Sequence, residues 1–201
     1  MRVFITGVSC VGKTTIGSML ASRLGYPFFD LDAEIERFFG TSIERLRNRF
    51  LTGESFRNEA SRALLDVLGR PESRNCVIAL PPSGLMGGYL RALKKAGGTI
   101  VVLKDKAENI LDRITFYDID SRPIEKVLTQ KEKRLYLREI KKDITYYRKS
   151  YDRASFQVDI SGLSPEKAAE RVKQSLEIFL SNEPVRHQEP SSGCRGAHEL
   201  N

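Results

Sequence analysis

Apolar positions follow two rhythms along this chain. Three short runs, Arg2–Thr6 (RVFIT), Cys76–Leu80 (CVIAL) and Thr99–Leu103 (TIVVL), are apolar without alternation. That pattern predicts strands whose two faces are both covered, as in a parallel sheet with helices on each side. The segments YPFFDLD, ending at Asp32, and SFQVDI, ending at Ile160, read as two further strands. Between them the spacing lengthens to three and four residues. Ile16, Met19, Leu20 and Leu24 predict a first helix that Gly25 stops, and Ile43, Leu46 and Phe50 predict another that Thr41 or Ser42 caps. Phe56, Ala60, Leu64 and Val67 mark a third, and a fourth runs within Gly84–Ala96. A short helix over Ala107–Phe116 follows. Tyr136, Ile140, Ile144, Tyr147 and Tyr151 place a long helix over Lys131–Tyr151, and Pro165, with Ser164 as its cap, opens the last helix, through Leu180. Five strands separated by helices predict a three-layer α/β/α sandwich around a five-stranded parallel sheet, of the P-loop NTPase, nucleoside-kinase-like class.

The polar stretches divide the chain further. The segment from about 114 to 130 has little apolar periodicity and reads as a mobile lid, while residues 181–201 are almost without apolar content and are expected to stay disordered. Residues 1–180 form the single domain that a chain of 201 residues suggests. The net charge of +7 is concentrated: Lys131–Arg153 holds nine basic and four acidic residues. Such a patch suits an anionic ligand or an acidic partner, and with no tryptophan and no periodic aromatic platform it gives little support to nucleic acid. Three dispersed cysteines argue for a reducing compartment and against a disulfide framework or a zinc site. With no 18-residue apolar run, the expectation is a cytoplasmic protein with no membrane partner, acting as a monomer. Both histidines, His187 and His198, lie in the tail, which excludes a histidine base or a histidine-ligated metal from the folded body.

The chemistry begins at Gly7. Gly7, Gly12, Lys13 and Thr14 satisfy G-x-x-x-x-G-K-[ST] between a strand and a helix. Glycines at that spacing let backbone N–H groups converge on phosphate oxygens, Lys13 adds charge near the β- and γ-phosphates, and Thr14 offers its hydroxyl to magnesium. Asp30 and Asp32 point the same way if both belong to a strand of period two; one would help hold hydrated Mg2+ and the other would accept the hydrogen bond of a substrate hydroxyl. Asp32 could instead cap the following helix. Arg57 suits a bidentate grip on a carboxylate, and Arg113, Arg122 and Arg148 are further candidates.

On these residues the chain resembles the shikimate kinases, a family of P-loop small-molecule kinases, over roughly residues 2–180. FFDLDAEIERFFGTSIERL is similar to the family's D-x-D, I-E and G-x-S-I pattern, and GESFRNE to its acceptor-helix signature. The resemblance implies transfer of the ATP γ-phosphate to the 3-hydroxyl of shikimate, on the way to chorismate and the aromatic amino acids. It implies that Gly12, Lys13, Thr14 and Thr15 bind phosphate, that Asp30 lies near Mg2+, that Asp32 touches the shikimate hydroxyls and that Arg57 takes the carboxylate. Arg113 would lie beside adenine, and Arg122 would reach from the lid over the phosphates. Arg148 would be the second carboxylate arginine, although RKSY lacks the proline of the family's R-x-P-x-Y and is one residue shorter. The family's three glycines after the third strand are replaced by Pro81-Pro82-Ser83-Gly84, so the donor role there moves to Ser83 or Gly84 or is lost. The alternatives are another small carboxylated polyol, such as gluconate, as acceptor, or a nucleotide-binding regulatory protein with weakened catalysis.

Overall fold

The computed structural model describes residues 1–182. In chain order the elements are β1 (Arg2–Thr6), α1 (Lys13–Leu24), β2 (Phe28–Asp30), α2 (Leu31–Phe39), α3 (Ile43–Arg47), α4 (Gly53–Gly69), a 3-10 turn (Pro71–Arg74) and β3 (Cys76–Ala79). Then come α5 (Gly87–Ala96), β4 (Thr99–Lys104), α6 (Ala107–Leu111), β5 (Phe116–Tyr117), β6 (Pro123–Ile124), α7 (Gln130–Tyr151), β7 (Phe156–Asp159) and α8 (Pro165–Asn182). The five strands of the main sheet are parallel in the order β2-β3-β1-β4-β7. Val3, Phe4 and Ile5 of β1 and Val77 and Ile78 of β3 have no exposed surface, which accounts for their unbroken apolar runs. Helix α1 packs on α8 and α4 packs on α5; with right-handed crossovers these pairs form the two outer layers.

The chain leaves β1 toward β2 and leaves β3 toward β4, in opposite directions across the sheet. The carboxyl ends of β1 and β3 therefore flank the switch point, where a crevice opens in folds of this kind. Two close approaches shape it. A Cβ on Gly7 would lie 2.6 Å from the carbonyl oxygen of Leu103, and one on Gly88 would lie 2.5 Å from Ser61 Oγ, so the loop after β1 and the start of α5 both sit where only glycine fits.

Several boundaries differ from the sequence reading. Asp32 is in the first turn of α2, because the Asp30 side chain accepts the Asp32 N–H and caps the helix there. Helix α5 begins at Gly87; residues 83–86 make a turn closed by Met86 N–H donating to Ser83 O at 3.0 Å. Helix α6 ends at Leu111, and Phe116 belongs to an antiparallel hairpin, β5–β6. Ser181 and Asn182 extend α8, and the rest of the tail lies outside the described residues.

The hairpin occupies the segment read as a lid. Its tip is closed by Asp118, whose Oδ1 accepts the Asp120 N–H at 2.8 Å and the Arg122 N–H at 2.9 Å, with Ser121 at φ 60°. The tip docks on α2 and α3: Ser42 Oγ donates to Ile119 O at 2.6 Å, Arg45 Nε to Asp120 Oδ1 at 2.7 Å, and Ser121 Oγ to Glu36.

Two outcomes follow from this packing. Gly88→Ala should lower the unfolding free energy by about 1–3 kcal/mol in urea titration, because α4 and α5 must separate. Arg45→Ala should speed amide exchange at Asp118 roughly two- to fivefold without moving the global unfolding midpoint, since an exposed ion pair contributes little to the fold.

Candidate active site at the switch point

The loop between β1 and α1 has the conformation that phosphate binding needs. Cys10 is left-handed at φ 59° and Gly12 at φ 105°, turning consecutive N–H groups toward one centre above the start of α1. Lys13 Nζ donates to Val8 O at 3.0 Å, which folds the ammonium inside the loop. Burial pulls the Lys13 pKa below its ordinary value, while the charges of Asp32, Cys10 and Asp30 act in the opposite sense. Thr15 follows on the first turn of α1.

Asp30 joins this loop to α2. Its Oδ2 accepts from Thr14 Oγ1 at 2.6 Å, and its Oδ1 accepts the Asp32 N–H at 3.0 Å. A hydroxyl and a carboxylate side by side fit a hydrated divalent ion whose other ligands are waters and phosphate oxygens. Among the described residues no group of three or more His, Cys, Asp or Glu side chains could hold a metal ion.

Asp32 stands in the first turn of α2, accessible to solvent yet closely ringed by protein. Burial first, and then the charge of Asp30, push its pKa up to about 6 against the opposing pull of Lys13 and Arg47. Arg57, on α4, has its Nε buried and without a partner, and so does the hydroxyl of Tyr89 on α5; they are the two such atoms among the described residues. Tyr89 is fully buried, and its hydroxyl senses the charges of Asp32, Arg47 and Arg57. Unsatisfied polar groups beside a cleft are costly, and a ligand carrying charged oxygens is the kind of partner that relieves the cost.

The double-proline corner is the opposite wall. Pro81 O accepts from Thr6 Oγ1 at 3.0 Å and from the Gly84 N–H at 2.8 Å, and Pro82 O accepts from Tyr151 Oη at 3.2 Å. The corner thus presents carbonyl acceptors that clamp it to β1 and α7. Gly84 differs from the expectation: its N–H closes the turn on Pro81 O and is not free for a substrate.

Arg148 is the larger correction. It lines a cavity of about 540 Å³ with Lys104, Asp105, Tyr151 and Gln157, on the β4–β7 side. The residue before it, Tyr147, stacks on Tyr151 at 5.8 Å and senses the charges of Arg57 and Arg47. One residue is a 100° turn on a helix, so only one of the two can face Arg57. Arg113 is tied to Asp105 by an ion pair and donates from Nε to Asn109 O at 3.1 Å. Burial alone would raise the Asp105 pKa, but hydrogen bonds from Asn109, Arg113 and the Lys106 amide hold it below the ordinary value. Arg122 is exposed on the docked hairpin near Asp120, away from Lys13. Sequence reasoning missed Arg47, Tyr89 and Tyr147. The first sits in RLRNR, a run in which every second residue is arginine and nothing marks the one that faces inward; Tyr147 read as a helix-face residue, and Tyr89 carried no signal.

The family model described as shikimate kinase matches residues 9–177. The shikimate kinase of Aquifex aeolicus is 30% identical over 179 residues, spanning 88% of this chain and 96% of its own, and a crystal structure of that organism's enzyme superposes with a TM-score of 0.65. The Acinetobacter baumannii shikimate kinase solved in complex with shikimate is 26% identical, covers 90% of this chain and 94% of its own, and superposes with a TM-score of 0.65. A Sinorhizobium meliloti gluconokinase, at 16% identity over 90% of this chain and 97% of its own and a TM-score of 0.55, shares the fold alone. A phosphate loop, a neighbouring pair of aspartates, an inward arginine and a match along most of the length thus converge: the chain belongs to the shikimate kinase family.

Proposed function

We propose that this protein transfers the γ-phosphoryl group of ATP to the 3-hydroxyl of shikimate, giving shikimate 3-phosphate and ADP. The reading is carried by Asp32, whose pKa is pushed up to about 6 beside Asp30 and Lys13, and by the buried, unpartnered Nε of Arg57, whose charge Tyr89 senses together with that of Asp32. Arg57 takes the acceptor carboxylate, and Ser83 donates from the proline wall. Asp32 accepts the hydrogen bond of the attacking hydroxyl. As the hydroxyl oxygen bonds to the γ-phosphorus, the bond from that phosphorus to the β,γ-bridging oxygen breaks, ADP leaves, and the hydroxyl proton passes to Asp32. Gly7, Gly12, Thr15 and the loop amides hold the phosphates, and Lys13 spreads the charge of the transferred group. Thr14 and Asp30 would hold Mg2+, which when bound supplies charge neutralisation at the β- and γ-phosphates. Arg113 flanks the base, and Arg122 joins the phosphates when the hairpin swings from its dock on α3.

A coupled ADP-release assay with shikimate, quinate and gluconate tests this reading. Strong stimulation by shikimate alone is expected; equal or absent stimulation by all three overturns it. Arg57→Ala should raise the shikimate KM tenfold or more, on the order expected for a lost charge-assisted bond, while the ATP KM stays within about twofold.

Asp32 makes a further prediction with a definite sign. Its folded pKa lies above its unfolded value, so the fold favours the neutral carboxyl, and wild-type stability falls as pH rises from about 4 to about 6. Asp32→Asn removes that loss. Its melting temperature should exceed wild type at pH 7.5, with the gap closing by pH 4, while kcat drops at least ~100-fold. In the wild type, kcat/KM for shikimate should fall below about pH 6 as Asp32 takes up a proton.

A further inference from the structure

An acid bound against Asp32 meets negative charge from both Asp30 and Asp32, so one guanidinium is a sparse counterweight. On helix α7 it is Tyr147 that senses the charge of Arg57, while Arg148 lines a cavity with Val8, Lys104 and Asp105. Helix α3 brings a second guanidinium. The Arg47 guanidinium lies over the ring of Phe56, the residue immediately before Arg57 on α4, 5.3 Å from the ring's centre. Its one ion-pair contact is a loose 3.8 Å approach to Glu44, with both side chains about half exposed. Such a contact contributes little and leaves the fork of N–H donors available. The charge of Arg47 reaches Asp32, Tyr89 and Tyr147, and the two tyrosines sense Arg57 as well. The unpartnered Arg57 Nε is independent evidence that this corner is built for a ligand oxygen.

We infer that Arg47 is the second carboxylate-binding arginine of this enzyme: the acceptor's carboxylate lies between the Arg47 and Arg57 guanidiniums, with Tyr147 across the crevice, and Arg148 takes no part in holding it. This deepens the shikimate reading and rests on it. It makes recognition of the acid the work of α3 and α4. Of these, α3 carries Arg45, which holds the tip at Asp120.

The test compares shikimate with its methyl ester, which keeps the hydroxyls and lacks the charge. The ratio of kcat/KM for acid over ester is measured for wild type, Arg47→Met and Arg148→Met; methionine keeps an unbranched apolar side chain and removes the charge. Arg47→Met should lower the ratio about tenfold or more, as expected for a lost charge-assisted bond, with the ATP KM within about twofold and the melting temperature unchanged. Arg148→Met should leave the ratio within about twofold of wild type. A wild-type ratio in Arg47→Met, or a tenfold fall in Arg148→Met, overturns the assignment. Arg47→Lys adds a check on fork geometry: it should restore part of the ratio, and a variant no better than Arg47→Met in a folded enzyme with normal ATP KM still fits a bidentate grip, whereas full restoration by lysine overturns that grip. Absence of any wild-type activity on shikimate would remove the substrate reading itself, a result distinct from each of these.

Discussion

The carboxylate of Asp30 is the contact on which the site depends. One oxygen takes the Thr14 hydroxyl and the other takes the Asp32 N–H, so a single side chain ties the phosphate-loop helix to the end of β2 and starts α2. Those two bonds decide where Asp32 stands. Had β2 continued, Asp32 would have lain two residues further along an extended chain. Because the chain turns into a helix at Leu31, Asp32 is carried over the crevice, close enough to Lys13 and Asp30 for their charges to act on it. The raised pKa is a consequence of that crowding, and a group poised near neutrality suits the removal of a hydroxyl proton better than a carboxylate with an ordinary value.

The stiff corner opposite is compatible with such a site. Glycines would let the backbone approach a ligand and donate to it; Pro81 and Pro82 instead offer carbonyls, and both carbonyls are taken by protein donors. Thr6 anchors the corner to β1 and Tyr151 anchors it to α7. Because α7 follows the hairpin in the chain, the acceptor wall and the hairpin's base are parts of one braced unit. Rigidity here suits preorganisation, since a wall that does not move need not be ordered when the substrate arrives.

Much of this was legible beforehand. The unbroken apolar runs identified β1, β3 and β4 because both faces of these strands are buried, a property each carries in its own residues; β2 and β7, half-buried at the sheet edges, were read from mixed segments. The phosphate loop was legible for a similar reason: its function depends on backbone conformations that a few glycines make possible within eight residues. The hairpin was less so. Its strands are two residues each, too short for a period, and the docking bonds to Ser42, Arg45 and Glu36 join residues 75 or more apart.

The sequence by itself determined the sheet, the phosphate loop and the kinds of side chain available around it, because periodicity, caps and turns act within about four residues. Tertiary structure alone decided which of those side chains meet. Tyr147 and Arg148 are neighbours in sequence and about a third of a turn apart on α7, and the helix's placement lets Tyr147 sense the charge of Arg57 while Arg148 lines a cavity with Lys104 and Asp105. Arg47 acquired its place when α3 folded against Phe56 of α4. Charge recognition is a matter of a few ångströms between distant segments, and no local rule carries that information.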